Sequence, residues 1–175
     1  MRIFRTLVVG ALMFSVCSAY SQKNLIVTPE KPRPGDVIQI TYTPAGSIAN
    51  TLGKVEGIVF YTGLSGRKAE DILLKKTGKK YTATIPTDTS ARLVQMAFYV
   101  NSTYDNNFGE GYFVQLYQGD KPVRKSSGYL ATIYQFGDRT LGIEKNPEKA
   151  IATYEQEFSN YPNNRSSYLT LYYRA

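Results

Sequence analysis

The chain has 175 residues with one cysteine, no histidine and no tryptophan, against 15 tyrosines and 8 phenylalanines, and a formal net charge of +7. A single cysteine excludes an intramolecular disulfide, and the missing imidazoles exclude His-dependent acid–base pairs and most transition-metal sites. Lys75, Lys76, Lys79 and Lys80 form the densest basic group, flanking a turn, and no basic stripe with interleaved aromatics suggests a nucleic-acid partner.

The first residues read as a secretory signal. Arg2 and Arg5 give the positive start, Leu7 to Val16 the apolar core, and small residues follow. A cut after Ser21 leaves Gln22 as the new N-terminus, and a cut after Ala19 competes with it. The apolar run is too short to span a bilayer as a mature helix. Cys17 lies in this leader and follows Val16, a poor residue to precede a lipidated cysteine; association with a membrane is expected only if Cys17 is lipidated. The address is outside the cytoplasm, secreted or in the periplasm or cell envelope.

Residues 22–137 read as one β-domain. A strand at 24–29 ends at Pro29, and the segment Glu30 to Asp36 is a turn built on Pro32, Pro34 and Gly35. Residues 37–44 alternate, with Ile38, Ile40 and Tyr42 on one face and Val37, Gln39 and Thr41 on the other. Val55 to Tyr61 is the next strand, Ala69 to Lys76 a fourth, and Thr77-Gly78 turns the chain into Lys80 to Ile85. Residues 92–101 are the strongest strand, with Val94, Met96, Phe98 and Val100 assigned to the core. Tyr112 to Tyr117 and Tyr129 to Tyr134 are expected to supply the last two strands. Six to eight short strands separated by Gly, Pro, Asn and Asp turns predict a mainly β fold, an Ig-like antiparallel sandwich.

Residues 138–175 read as a helical linker. Asn146 caps a helix whose first position is Pro147, and Ala150, Ile151, Tyr154 and Phe158 recur at helical spacing. Tyr161-Pro162-Asn163-Asn164 breaks it, and Ser166 to Arg174 resumes as a second helix. Such a pair looks like the start of a tetratricopeptide-like array, whose units bury their apolar faces only against neighbours. The expectation is a chain that continues into further helices, the competing reading being helices packed back on the sandwich.

Catalytic chemistry is not encoded in any motif. Glu56, Glu70, Asp71, Asp105 and Glu110 carry no signature of a paired-carboxylate site, and Gly63-Leu64-Ser65-Gly66-Arg67 lacks the lysine and helix of a phosphate loop. The loop Asp105 to Gly111 has oxygen-bearing residues at alternating spacing but too few for a calcium loop. No cofactor, metal or catalytic residue is expected. Tyrosines serve a sandwich as core filler or as a platform for sugars and peptides, and Tyr104, Tyr112 and Tyr117 are the candidates for an exposed binding surface.

Taken together, Thr28 to Gly46 (TPEKPRPGDVIQITYTPAG), RLVQMAFYVN, Asp105 to Val123 (DNNFGEGYFVQLYQGDKPV) and Asn146 to Asn164 (NPEKAIATYEQEFSNYPNN) resemble one family. It is the N-terminal region of secreted TlpA-like, thioredoxin-fold thiol–disulfide oxidoreductases of Bacteroidetes-type bacteria. The resemblance implies an Ig-type sandwich and short helical stretch preceding a thioredoxin domain with a Cys-x-x-Cys pair. Such a domain is absent from these residues, so the chain itself is expected to be non-enzymatic. Its implied role is that of an accessory module whose partner is a downstream thioredoxin-fold domain or another protein. The alternative is an independent secreted glycan- or protein-binding module.

Overall fold

The computed structural model describes residues 24–175; the expected leader and Cys17 lie outside the described residues. Eleven strands and three helices follow in chain order: β1 (Leu25–Thr28), β2 (Val37–Tyr42), β3 (Glu56–Gly63), β4 (Gly66–Asp71), β5 (Lys75–Thr77), β6 (Lys80–Pro86), β7 (Ala91–Val100), β8 (Thr103–Asp105), β9 (Tyr112–Gln115), β10 (Tyr117–Gln118), β11 (Lys121–Pro122), α1 (Ser126–Phe136), α2 (Pro147–Asn160) and α3 (Arg165–Tyr172). All strand pairings are antiparallel. One sheet has the order β1-β2-β6-β5; in a second, β4-β3-β7-β8, β9 also pairs with β7; and β10 with β11 forms a two-stranded ribbon. The mainly β fold and the C-terminal helices read from the sequence are therefore present.

Period-two patterning places the sandwich core. In β2, Ile38, Ile40 and Tyr42 turn inward while Val37 and Gln39 stay exposed. They meet Val59 and Tyr61 of β3 and Val94, Met96, Phe98 and Val100 of β7, which share one buried cluster with them. Each such side chain, fully buried, contributes roughly 1.5–3 kcal/mol. The opposite face of β7 is buried too. There Leu93 and Ala97, with Phe113 of β9, pack against Leu130, Ala131 and Tyr134 of α1 and Ala150, Tyr154 and Phe158 of α2. The body thus has three layers: sheet, sheet, helices. No helix among the described residues is long and apolar enough to cross a membrane.

Three sequence expectations need correction. Tyr129 to Tyr134 is not a strand but the middle of α1. Its β-branched and aromatic residues favour a strand locally, yet Ser127, Leu130, Ala131, Tyr134 and Gln135 are all buried, at helical spacing. Gly137 ends the helix at φ 69°, its N–H donating to the Ile133 carbonyl at 2.7 Å. The helical layer therefore begins at Ser126, inside the segment 22–137 assigned to the sandwich.

Ala69 to Lys76 is likewise not one strand. β4 ends at Asp71 in one sheet and β5 starts at Lys75 in the other, with Ile72 buried and Leu73 exposed at the crossover. The ladder also breaks between Gln115 and Tyr117. The Leu116 N–H donates to Arg92 O at 3.2 Å and the Tyr117 N–H to Pro32 O at 2.7 Å, which turns the chain onto the proline-rich loop.

The helix start at Asn146 is as read. Its side-chain oxygen accepts the Lys149 N–H at 3.0 Å, Pro147 occupies the first turn, and Glu148 sits at the positive end of the dipole. Ala150, Tyr154 and Phe158 are buried as the spacing predicts, but against α1 and the outer face of β7 and β9.

Candidate functional site

The three candidate tyrosines do not form one surface. Tyr112 is fully buried between the sheets, and its hydroxyl donates to Asp105 Oδ2 at 2.9 Å, so it cannot serve as an exposed platform. The reason is register: Tyr112 lies opposite Met96, a core residue of β7. Tyr104 is half-buried beside Tyr99, ring centroids 5.3 Å apart. Tyr117 alone lines a cleft.

That cleft, of about 490 Å³, is lined by Arg33, Pro34, Arg92, Tyr117, Gln118, Gly119, Val123 and Arg124. Three chain segments build it. The turn between β1 and β2 presents Arg33 between two prolines whose rings fix the local backbone. The turn is clamped from beneath: Asp36 Oδ2 accepts the Arg33 N–H at 2.8 Å, and Thr87 Oγ1 accepts the Gly35 N–H at 3.0 Å while donating to Asp36 O at 2.8 Å. The second segment is the start of β7, where Arg92 sits between buried Ala91 and Leu93. Its Nη1 donates to Ala91 O at 2.9 Å and Thr89 O at 3.1 Å, which fixes the guanidinium. The third is the β10–β11 hairpin and the residues after it.

Arg124 in that third segment is anchored from the helical layer. Its Nε donates to Asn164 Oδ1 at 2.6 Å, and the Asn164 amide donates in turn to Glu157 Oε1. Glu157 is itself buried and takes the backbone N–H groups of Lys125 at 2.8 Å and Gly128 at 3.2 Å. At the rim, Lys31 and Asp120 form an exposed pair at 2.7 Å, which holds the Asp120 carboxyl below its ordinary range and the Lys31 ammonium above its own. None of the eight lining residues carries a carboxylate.

The acids singled out from the sequence serve other ends. Glu70 and Asp71 lie on the exposed strand β4, Glu56 pairs with Lys54 at 3.7 Å, and Glu110 pairs with Lys149. Asp105 is buried among donors: the hydroxyls of Tyr42 at 2.5 Å and Tyr112, and the N–H groups of Ala45 and Asn107, both at 3.0 Å. Burial and then this carboxylate push the Tyr42 and Tyr112 hydroxyls far above the ordinary tyrosine range. Among the described residues no three of His, Cys, Asp and Glu gather to hold a metal ion.

Arg33, Arg92 and Arg124 carry no mutual signal in the sequence, because only the return of Tyr117 to Pro32 brings their segments together. One local sign was present: an arginine locked between two prolines in a tight turn is held out for display. No family model matches the chain, and no curated protein matches it.

Proposed function

We propose that this chain is a non-catalytic accessory module of an extracytoplasmic thiol–disulfide oxidoreductase of the TlpA-like type, one that holds and presents a redox domain. The resemblance of Thr28 to Gly46 and of Asn146 to Asn164 to that family supports the reading, as does the signal-like leader. The observation that carries it is the apolar cluster shared by strands and helices. Leu93, Ala97 and Phe113 pack with Leu130, Tyr134, Ala150, Tyr154 and Phe158. A flexible tether leaves its helices undocked; a positioning module needs them fused to its body, as here. The test is to read the gene past codon 175 and to assay insulin reduction. A Cys-x-x-Cys in a βαβ pattern is expected there, with reductase activity in the longer protein and none in residues 22–175. A stop codon directly after Ala175 overturns the proposal.

A second reading, an independent secreted binding module, is favoured by the arginine-lined cleft. A glycan array and isothermal titration with residues 22–175 test it. The shorter segment 22–137 is unsuitable, because Arg124 is anchored by Asn164.

A further inference from the structure

We propose that the cleft between the proline-rich turn, the start of β7 and the β10–β11 hairpin binds a small organic anion carrying two or more carboxylate or phosphate groups. Three arginine residues line one space of about 490 Å³, within the size range of small-molecule sites, roughly 300–1,000 Å³. No acid lines it, and none of the three arginines is paired with a carboxylate among the described residues, although Lys31, Lys54, Arg67 and Lys149 are. Three positively charged residues around one recess, with no acid among its lining, favour a multiply charged anion as the ligand.

The recess is also built rather than incidental. Arg92 is oriented by two backbone carbonyls and Arg124 by Asn164, which rests on buried Glu157, so two of the three forks are held in place before any ligand arrives. Those bonds use Nη1 of Arg92 and Nε of Arg124, leaving other guanidinium N–H groups for bidentate recognition of a planar carboxylate or a phosphate. Pro34, Val123 and the Tyr117 ring supply apolar wall, which a bare inorganic ion has no use for and a carbon skeleton does. The volume matches a small molecule. The inference does not depend on a redox partner, so its failure leaves the accessory reading intact.

The test is isothermal titration of the chain from residue 22 onward, at low salt, with citrate as the carboxylate probe, fructose 1,6-bisphosphate as the phosphate probe and trehalose as an uncharged control. Saturable one-to-one binding of citrate or the bisphosphate is expected, with none of trehalose; whichever anion binds names the group recognised. Arg33→Gln and Arg92→Gln are each expected to weaken binding by about tenfold or more. Arg67→Gln, whose side chain stacks on Phe60 instead, is expected to leave it unchanged. Arg33 has no side-chain partner among the described residues, so its replacement reads binding rather than folding; unchanged circular dichroism checks this. Absence of binding for both anions overturns the proposal, as does binding that the Arg33 and Arg92 replacements do not alter.

Discussion

Asp105 is a single carboxylate that ties the two sheets together. Tyr42 belongs to one sheet and Tyr112 to the other, and both hydroxyls donate to its Oδ2. Around it the rings of Tyr42 and Phe98 stack at 3.7 Å, with Tyr112 edge-on at 5.8 and 5.4 Å. Replacing Asp105 with Ala strands two buried hydroxyls and two backbone N–H groups. Unsatisfied buried groups cost about 1–3 kcal/mol each, so a loss of roughly 3 kcal/mol or more is expected by urea denaturation. A change below about 1 kcal/mol means that water replaces the carboxylate there. In the sequence Asp105 opens a loop rich in oxygen ligands; two of its partners, Tyr42 and Ala45, lie 63 and 60 residues away, which no local spacing reveals.

Between elements, the junction of α1 with α2 and α3 rests on two residues. The α1 N-terminus has no side-chain cap of its own, since Lys125 precedes it at φ 73°. The Glu157 carboxylate from α2 takes its place, satisfying the Lys125 and Gly128 N–H groups at the positive end of the dipole. Gly128 admits the Tyr168 ring, since a Cβ there lies 2.3 Å from its nearest carbon. Alanine in place of a helix-interior glycine ordinarily stabilises by about 1 kcal/mol. Here Gly128→Ala is expected to destabilise, by about 1–3 kcal/mol, because the ring is displaced. Thermal melting of the variant decides the sign. This junction also shows what was legible. The cap at Asn146 and the spacing of Ala150, Tyr154 and Phe158 gave α2 correctly, because both signals are local. α1 was missed because its cap comes from another helix and its Tyr, Thr and Ile content favours strands. The arginine cleft was missed for a related reason, its members being joined only by tertiary structure.

For the molecule as a whole, tyrosine burial sets an alkaline limit. Burial, then the nearby Glu70 and Asp88, pushes the Tyr61 hydroxyl up to about 12, and Tyr42, Tyr112 and Tyr168 are shifted upward further. An unfolded chain ionises its tyrosines near pH 10. Each raised value therefore favours the folded state fully below about pH 10, and that contribution is lost as pH rises from there through the folded value, about 12 for Tyr61 and higher for the other three. The urea midpoint is expected to be level to about pH 9.5 and to fall steeply above it, with the absorbance of the buried tyrosines' ionised form appearing together with unfolding. A level midpoint through pH 12 contradicts the assignment.

β7 has both faces buried and bonded neighbours on both edges: β3 on one, and β8 and β9 on the other. The two apolar clusters are thus opposite sides of one strand, and neither layer can come away without exposing it. Its central amides, from Val94 to Phe98, should exchange with deuterium only through global opening, more slowly than those of the exposed strands β4 and β5. Calorimetry should accordingly record one cooperative transition for sheets and helices together, the signature of a body that melts as a unit.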